Sequence, residues 1–208
     1  MGGYDPYSSS KGCTELIVSA YRRSFFNDLE IALSSVRAGN VIGGGDWQVD
    51  RLIPDCIRAL SKDETIIIRS PKSVRPWQFI LEPLYGYLYL GAKMYKNRNS
   101  FNDGWNFGPN DDNIINVEEI VKKSVELWGN GKYSINEENT LHEAKLLKLD
   151  TSKARTLLNF KPIYNIDKAL EKTINWYKIY YKENLNMFEY SVSQINEYMN
   201  EKSQNYNF

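Results

Sequence analysis

At 208 residues, with 42% apolar and 25% charged positions, the chain is long enough to bury a sizeable core and has the composition of an ordinary soluble globular domain. Its 26 basic residues balance 26 acidic ones, which excludes a long-range field favouring nucleic acid or an anionic membrane surface and leaves any phosphate binding to a few placed Arg or Lys side chains. Two widely spaced cysteines, Cys13 and Cys56, with the lone His142, are too few soft ligands for a structural zinc site, so no metal is expected.

The Asp5-Pro6 turn signal opens a predicted helix over residues 8–26. Residues 30–42, rich in Ile, Leu and Val, predict a buried strand that runs into Gly43-Gly44-Gly45. A short helix over 52–60 tolerates Pro54 in its first turn. A strand over 65–69, a strongly apolar helix over 82–95 and a strand over 105–107 follow. Asn116, with Glu119 three residues on and Gly129 as the stop, predicts a capped helix ending at Trp128. A strand over 145–149, a helix over 152–158 and a longer helix over 166–182, with Ala169, Ile174 and Tyr177 on its apolar side, complete the regular elements. The Asn-rich tail from Glu183 is expected to run along the surface.

Strands alternating with helices argue an α/β architecture, with parallel strands, right-handed crossovers and ligands at the carboxyl ends of the strands. No Gly-x-Gly-x-x-Gly or Gly-x-x-Gly-x-x-Gly phosphate loop opens the chain, and there are fewer strands than a complete doubly wound sheet needs. The first residues lack a basic region followed by an apolar one, and no apolar run reaches membrane-spanning length, so a cytoplasmic protein with no membrane or nucleic-acid partner is expected. The 15 tyrosines and five tryptophans are expected mainly in core packing.

Tyr7 and Lys11 form a Tyr-x-x-x-Lys spacing, which on a helix sets phenol and ammonium on one face, one turn apart. A phenol, whose ordinary pKa is about 10, works as a base near neutrality only where neighbouring cations favour its phenolate. Spacing alone does not select this pair, because Tyr89 with Lys93, Tyr164 with Lys168 and Tyr198 with Lys202 share it. Context does: three serines fill the gap, Gly12 follows the lysine and Glu15 closes the run.

The stretch Asp5-Pro6-Tyr7-Ser8-Ser9-Ser10-Lys11-Gly12-Cys13-Thr14-Glu15 resembles the active-site helix of the extended short-chain dehydrogenase/reductase family. Arg37-Ala38-Gly39-Asn40-Val41-Ile42-Gly43-Gly44-Gly45-Asp46-Trp47 resembles its strand-to-loop segment that reaches the sugar nucleotide. The triple Gly followed by Asp-Trp is similar to the CDP-glucose 4,6-dehydratases in particular. Arg51-Leu52-Ile53-Pro54, Arg75-Pro76-Trp77-Gln78, Trp105-Asn106-Phe107-Gly108-Pro109-Asn110 and His142-Glu143-Ala144 continue the resemblance in order along almost the whole chain.

The resemblance implies the carboxy-terminal part of an NAD(P)-binding Rossmann-like doubly wound fold plus a smaller substrate-binding α/β region. The first comprises about residues 1–48 and the second mainly residues 49–208, with the Gly-rich dinucleotide-binding half outside the chain. It implies NAD as cofactor, CDP-glucose as substrate, a role in deoxysugar and polysaccharide synthesis, and a homo-oligomer for the full-length parent, with little or no activity expected of this chain alone. The alternatives are a non-catalytic nucleotide-sugar binding remnant, or a related sugar-nucleotide epimerase or dehydratase for a different nucleotide. Tyr7 is then the catalytic base and Lys11 its partner, both touching the cofactor. Asn40, Arg51, Leu52, Arg75 and Glu143 are then substrate contacts. Four of these contacts have a plainer alternative: a loop cap for Asn40, a solvated helix start for Arg51, a stacked pair with Trp77 for Arg75, a solvated carboxylate for Glu143. For the triple Gly, the reading favoured over a phosphate loop is a tight turn, since no Lys-Ser/Thr follows.

Overall fold

In the computed structural model, which describes residues 5–29, 31–110, 114–136, 149–183 and 185–205, the first helix begins at the Asp5-Pro6 signal. Asp5 is extended and its carboxylate accepts the Ser8 N–H at 3.0 Å, while Pro6 opens α1, Pro6–Tyr21. The helix then widens into a π-helical turn, Arg22–Phe26, so the predicted span to residue 26 holds with a change of winding.

The single buried strand predicted over 30–42 is instead two short strands, β1 (Ser35–Ala38) and β2 (Asn40–Ile42), and Ile42 is the one buried residue in them. The break falls at Gly39, where a Cβ would stand 3.1 Å from Pro76 Cγ. There the chain changes partner: β1 pairs in parallel with β5 (Gly104–Phe107), and β2 pairs in parallel with β4 (Val74–Phe79).

The chain divides into two compact units, each drawn from separate stretches of sequence. One comprises residues up to Ala38 with Leu84–Phe107 and Asp150–Phe160; the other comprises Gly39–Pro83, Gly108–Leu149 and the residues from Lys161. In the first unit the β1–β5 pair, in register Ser35 to Gly104 and Ala38 to Phe107, adjoins α3 (Leu81–Lys96), α4 (Arg98–Phe101) and α6 (Ser152–Leu157). Its core is Leu90, Trp105, Phe107, Ala154, Leu158 and Phe160, with the Phe107 and Phe160 rings edge to face at 5.0 Å. Helix α1 buries none of its residues.

In the second unit β2, β4 and β6 (Ile114–Asn116) form a three-stranded mixed sheet, and β3 (Thr65–Ile68) pairs in parallel with β7 (Lys132–Ile135). Around them lie α2 (Leu52–Ser61), α5 (Val117–Trp128), α7 (Ile166–Lys182) and α8 (Met187–Asn205). The capping box predicted at Asn116 and Glu119 is present, with Gly129 left-handed at φ 100° beyond the helix end. Ile57, Ile120, Val121, Ala169, Leu170, Ile174 and Tyr177 are wholly buried and form the apolar centre of this unit.

Strands β4, β6 and β7 escape the sequence reading, β4 because Pro76 sits inside it. Within the tail from residue 183, expected along the surface, Met187–Asn205 forms the 19-residue helix α8, an element the sequence reading did not place, with Gln194, Tyr198 and Lys202 buried. The strand predicted over 145–149 lies outside the described residues except for Leu149, which is not in a strand. Parallel pairing among interleaved helices bears out the α/β expectation. Among the described residues no helix is long and apolar enough to cross a membrane.

Candidate functional site

The first unit brings Tyr7 and Lys11 to one hollow. They stand one turn apart on α1, with Lys11 Nζ 5.4 Å from the centre of the Tyr7 ring, and Tyr7 is 72% exposed. The hollow, of about 790 Å³, is lined from α1 by Tyr7, Ser8, Lys11, Gly12, Thr14, Glu15 and Val18, and from β1 by Ser35 through Ala38. With no α1 side chain buried, a charged fork fixes this helix against the sheet. Glu15 accepts Arg37 Nε and Nη2, each at 2.6 Å, and the Ser35 hydroxyl at 2.7 Å. Arg37 Nη1 donates to Asn106 Oδ1 at 2.9 Å, and the Asn106 amide donates to the Asp150 carbonyl at 2.9 Å. The hydrogen-bonded Arg37 guanidinium holds the Glu15 carboxyl below the usual glutamate range, and Glu15 in turn raises Arg37.

Geometry within the pair is not what sets Tyr7 and Lys11 apart. Lys93 Nζ lies 5.1 Å from the Tyr89 ring and Lys202 Nζ lies 5.7 Å from the Tyr198 ring, as helical spacing dictates. Surroundings differ: Tyr164 and Tyr198 are buried, and the Tyr198 hydroxyl donates to Glu82 at 2.7 Å.

The second unit brings four further predicted residues together. Asn40, Arg51, Leu52 and Arg75 border a hollow of about 500 Å³, floored by Val41, Ile42, Ile53 and Trp77 and rimmed by Asp46 and Asp50. Pairing of β2 with β4 sets Asn40 beside Trp77, and pairing of β4 with β6 sets Arg75 beside Ile115, whose carbonyl accepts from Trp77 Nε1 at 3.4 Å. The Arg51 backbone caps α2, while its guanidinium reaches to 3.6 Å from the Asp46 carboxylate. Arg75 is half-buried and donates to the Val74 carbonyl at 2.9 Å. Two guanidinium groups and one amide around a single hollow suit an anion with several acceptor oxygens. An adjoining hollow of about 450 Å³ shares Asp50, Leu52 and Val117, and has Ile66 and Ile68 in its wall.

Packing explains the triple glycine. A Cβ on Gly44 would stand 2.1 Å from the Trp176 ring, and Gly45 has φ 81°, which leaves no role as a phosphate loop to account for these residues. The Tyr177 hydroxyl accepts the Asp46 N–H at 3.0 Å and donates to the Asp46 carbonyl at 2.7 Å, and Trp47 sets its ring edge-on to Tyr177 at 5.2 Å. Burial pushes the Tyr177 phenol up to about 12. Helix α7 thus shapes the loop that carries Asp46 to the hollow. Asp46 and Trp77 sit inside motifs singled out in the sequence and were legible there as neighbours. Asp50 and Val117 had no local signal; Val117 arrives through a hydrogen bond from its N–H to the Ser73 carbonyl at 3.0 Å. Glu143 and His142 lie outside the described residues.

No protein-family model matches the chain. It is 47% identical over 205 residues to the CDP-glucose 4,6-dehydratase of Salmonella typhimurium, a match that takes in 96% of this chain and 57% of that protein. The chain therefore spans little more than half the length of its curated relative. Among solved structures it is similar to the dTDP-glucose 4,6-dehydratase of Bacillus anthracis in complex with NAD, with TM-score 0.67, 20% identity and coverage of 86% of this chain and 53% of that one. An epimerase of Methanothermobacter thermautotrophicus gives TM-score 0.71, 21% identity and coverage of 86% and 51%. The UDP-glucuronic acid 4-epimerase of Bacillus cereus, in complex with UDP-glucuronic acid and NAD, gives TM-score 0.70, 20% identity and coverage of 84% and 52%. At these identities the structures establish the fold alone, a Rossmann-like α/β fold, with the chain spanning about half of each neighbour.

Proposed function

We propose that this chain supplies the proton-transfer pair and the nucleotide cradle of an NAD-dependent CDP-glucose 4,6-dehydratase. The observation that carries the reading is the 47% identity to such an enzyme across 96% of the chain. Tyr7, as phenolate, takes the proton from the C4 hydroxyl of the glucose, and the Lys11 ammonium beside it stabilises the phenolate and donates to a ribose hydroxyl of the cofactor. NAD, held in part by Tyr7 and Lys11, would supply the hydride acceptor for C4 and the hydride donor for C6. The hollow beside Tyr7 fits the nicotinamide-ribose end of that cofactor, because Ser8, Gly12, Thr14 and Ser35 offer little bulk and several hydroxyl groups around the Lys11 ammonium. Its pyrophosphate calls for a Gly-rich helix start that the described residues do not provide.

Arg75 and Arg51 neutralise the diphosphate, Asn40 supplies a hydrogen bond, Leu52 supplies apolar wall, and Glu143 is assigned to a ribose hydroxyl. Between the two hydride transfers the C5 proton and the C6 hydroxyl leave as water. A proton is delivered to C5 as hydride returns to C6, which offsets the proton taken up by Tyr7, and the acid and base of these steps are not assigned to residues of this chain. The product is CDP-4-keto-6-deoxyglucose.

The test is to supply CDP-glucose and NAD to a protein that contains this chain and to weigh the product. Loss of one water is expected. A product of unchanged mass would make the chain part of an epimerase, as several of its structural neighbours are, and would overturn the proposal. The 208-residue chain titrated alone should not bind NAD tightly.

A further inference from the structure

Strand β5 turns Trp105 and Phe107 into the core of its unit, so alternation turns Gly104 and Asn106 to the other face, level with Ser35 and Arg37 of β1. Helix α1 meets this second, polar face and buries no side chain on it. Apolar contact is non-directional and would fix neither the rotation nor the height of a helix. A two-pronged ion pair fixes both. Here Arg37 Nε and Nη2 donate to Glu15 at 2.6 Å each, the Ser35 hydroxyl adds a third bond at 2.7 Å, and Asn106 holds the far side of the guanidinium at 2.9 Å. Gly104 makes the seat. A Cβ there would stand 2.6 Å from Arg37 Nη2 and 3.3 Å from Ser35 Oγ, and its backbone is not left-handed, so the missing side chain serves space rather than a turn.

We propose that Glu15 and Arg37, on their Gly104 seat, are positioning residues for proton transfer: they set the rotation and height of α1 and so hold Tyr7 and Lys11 where they act. Tyr7, Lys11 and Glu15 are spaced four residues apart and share one stripe of the helix. A turn or slide at Glu15 is therefore carried to the phenol two turns away, and a misplacement of about 1 Å at a reacting group can cost about a hundredfold in rate. Both residues border the same hollow as Tyr7, yet their polar atoms are engaged with each other, Ser35 and Asn106. They act through Tyr7 rather than on the substrate. The inference rests on the reading of Tyr7 as the base and is tested beside it.

In a dehydratase containing this chain, a single turnover at saturating enzyme in excess over CDP-glucose gives a rate constant that a partial loss of folded enzyme does not move. Arg37→Lys keeps the charge and loses the fork. Gly104→Ala keeps every partner and pushes the guanidinium off its seat. Each should lower that rate constant about 10- to 100-fold, with the steady-state KM for CDP-glucose within about twofold of the parent's. In both variants the α1 amides should exchange faster at pH 7 while those of α7 exchange as in the parent. Lys123→Met, which removes an ion pair of 2.7 Å in the other unit, should change neither readout. Should Arg37→Lys fail to fold, Gly104→Ala decides. An unchanged single-turnover rate constant, or a loss confined to KM, would overturn the proposal. Tyr7→Phe measured alongside separates the two readings. Turnover near the parent's in Tyr7→Phe would overturn the base assignment and the fork's role with it, whereas an inactive Tyr7→Phe beside fork variants at the parent's rate would overturn the fork's role alone.

Discussion

Helices α1 and α8 carry the same Tyr-x-x-x-Lys pair at nearly the same separation, 5.4 Å in one and 5.7 Å in the other, and put it to opposite uses. On α1 the pair is in water beside a hollow, and the helix is tied down two turns away through Glu15 and Arg37. On α8 the pair is buried and saturates Glu82. That carboxylate accepts the Ile163 and Tyr164 N–H groups at 2.8 and 2.9 Å through Oε1. Through Oε2 it accepts the Tyr198 hydroxyl at 2.7 Å and meets Lys202 Nζ at 3.5 Å. A phenol already donating to a buried carboxylate has no open face for a substrate hydroxyl. Exposure, anchoring and a neighbouring hollow separate a candidate base from a structural clamp.

The largest expected effect breaks this contrast most directly. In a dehydratase containing the chain, Tyr7→Phe should lower turnover by on the order of a thousandfold with substrate affinity and melting nearly unchanged, since the lost phenol acts on proton transfer. Tyr198→Phe should do the reverse: turnover within tenfold of the parent, and stability down by about 1–2 kcal/mol as Glu82 loses a donor. Exchange of these two outcomes would mean that the base had been assigned to the wrong helix.

Next in size is the lysine comparison, read by urea denaturation. Lys202→Met leaves the Glu82 carboxylate buried without its cation and should cost about 3–5 kcal/mol. Adding Glu82→Gln to it should recover part of that loss, because the uncompensated charge is gone. Lys11→Met, on an exposed helix face, should change stability by less than about 0.5 kcal/mol. Equal costs for the two lysines would show that α1 depends on its own ion for folding.

Much of this contrast was in the sequence, and its limits have physical causes. The α1 start, the α5 capping box and the span of α7 were legible because Asp5-Pro6, Asn116 with Glu119, and the apolar spacing around Ala169 and Ile174 are local signals. The motifs holding Arg51, Leu52 and Arg75 were legible as segments, but their meeting at one hollow depends on strand register, which no local pattern encodes. Helix α8 was missed because its inward face is polar and its apolar stripe is outside, so an Asn-rich tail was the natural reading. The switch of partners at Gly39 was likewise hidden, since Gly39-Asn40 interrupts the apolar residues on either side without saying which strand each of them pairs with.

The smallest effect concerns acid. Arg37 and Ser35 hold the Glu15 carboxyl below the usual glutamate range, and Ser8 holds Asp5 low as well. In the unfolded chain both titrate in the ordinary range, so as pH falls the unfolded state takes up protons first. Their stabilisation is therefore full above that range and is lost as pH drops through the folded values. Helix α8 has a comparable pair, since Lys172 holds Glu197 low. Protonating Glu197, however, leaves the buried contacts of Tyr198 and Lys202 with Glu82 in place, whereas protonating Glu15 undoes the main tie of a helix that buries nothing. With Arg37 two-fifths exposed, the Glu15 contribution is on the order of 1 kcal/mol or less. Amide hydrogen exchange from about pH 7 to below the ordinary carboxylate range of about 4 should therefore show α1 losing protection before α8, at the acid end of that span, once corrected for the intrinsic rate. Glu15→Gln should weaken α1 at pH 7 and flatten most of its pH response. Protection of α1 and α8 falling together, or a pH response of α1 untouched by Glu15→Gln, would show that packing rather than the charged fork holds the Tyr7 helix in place.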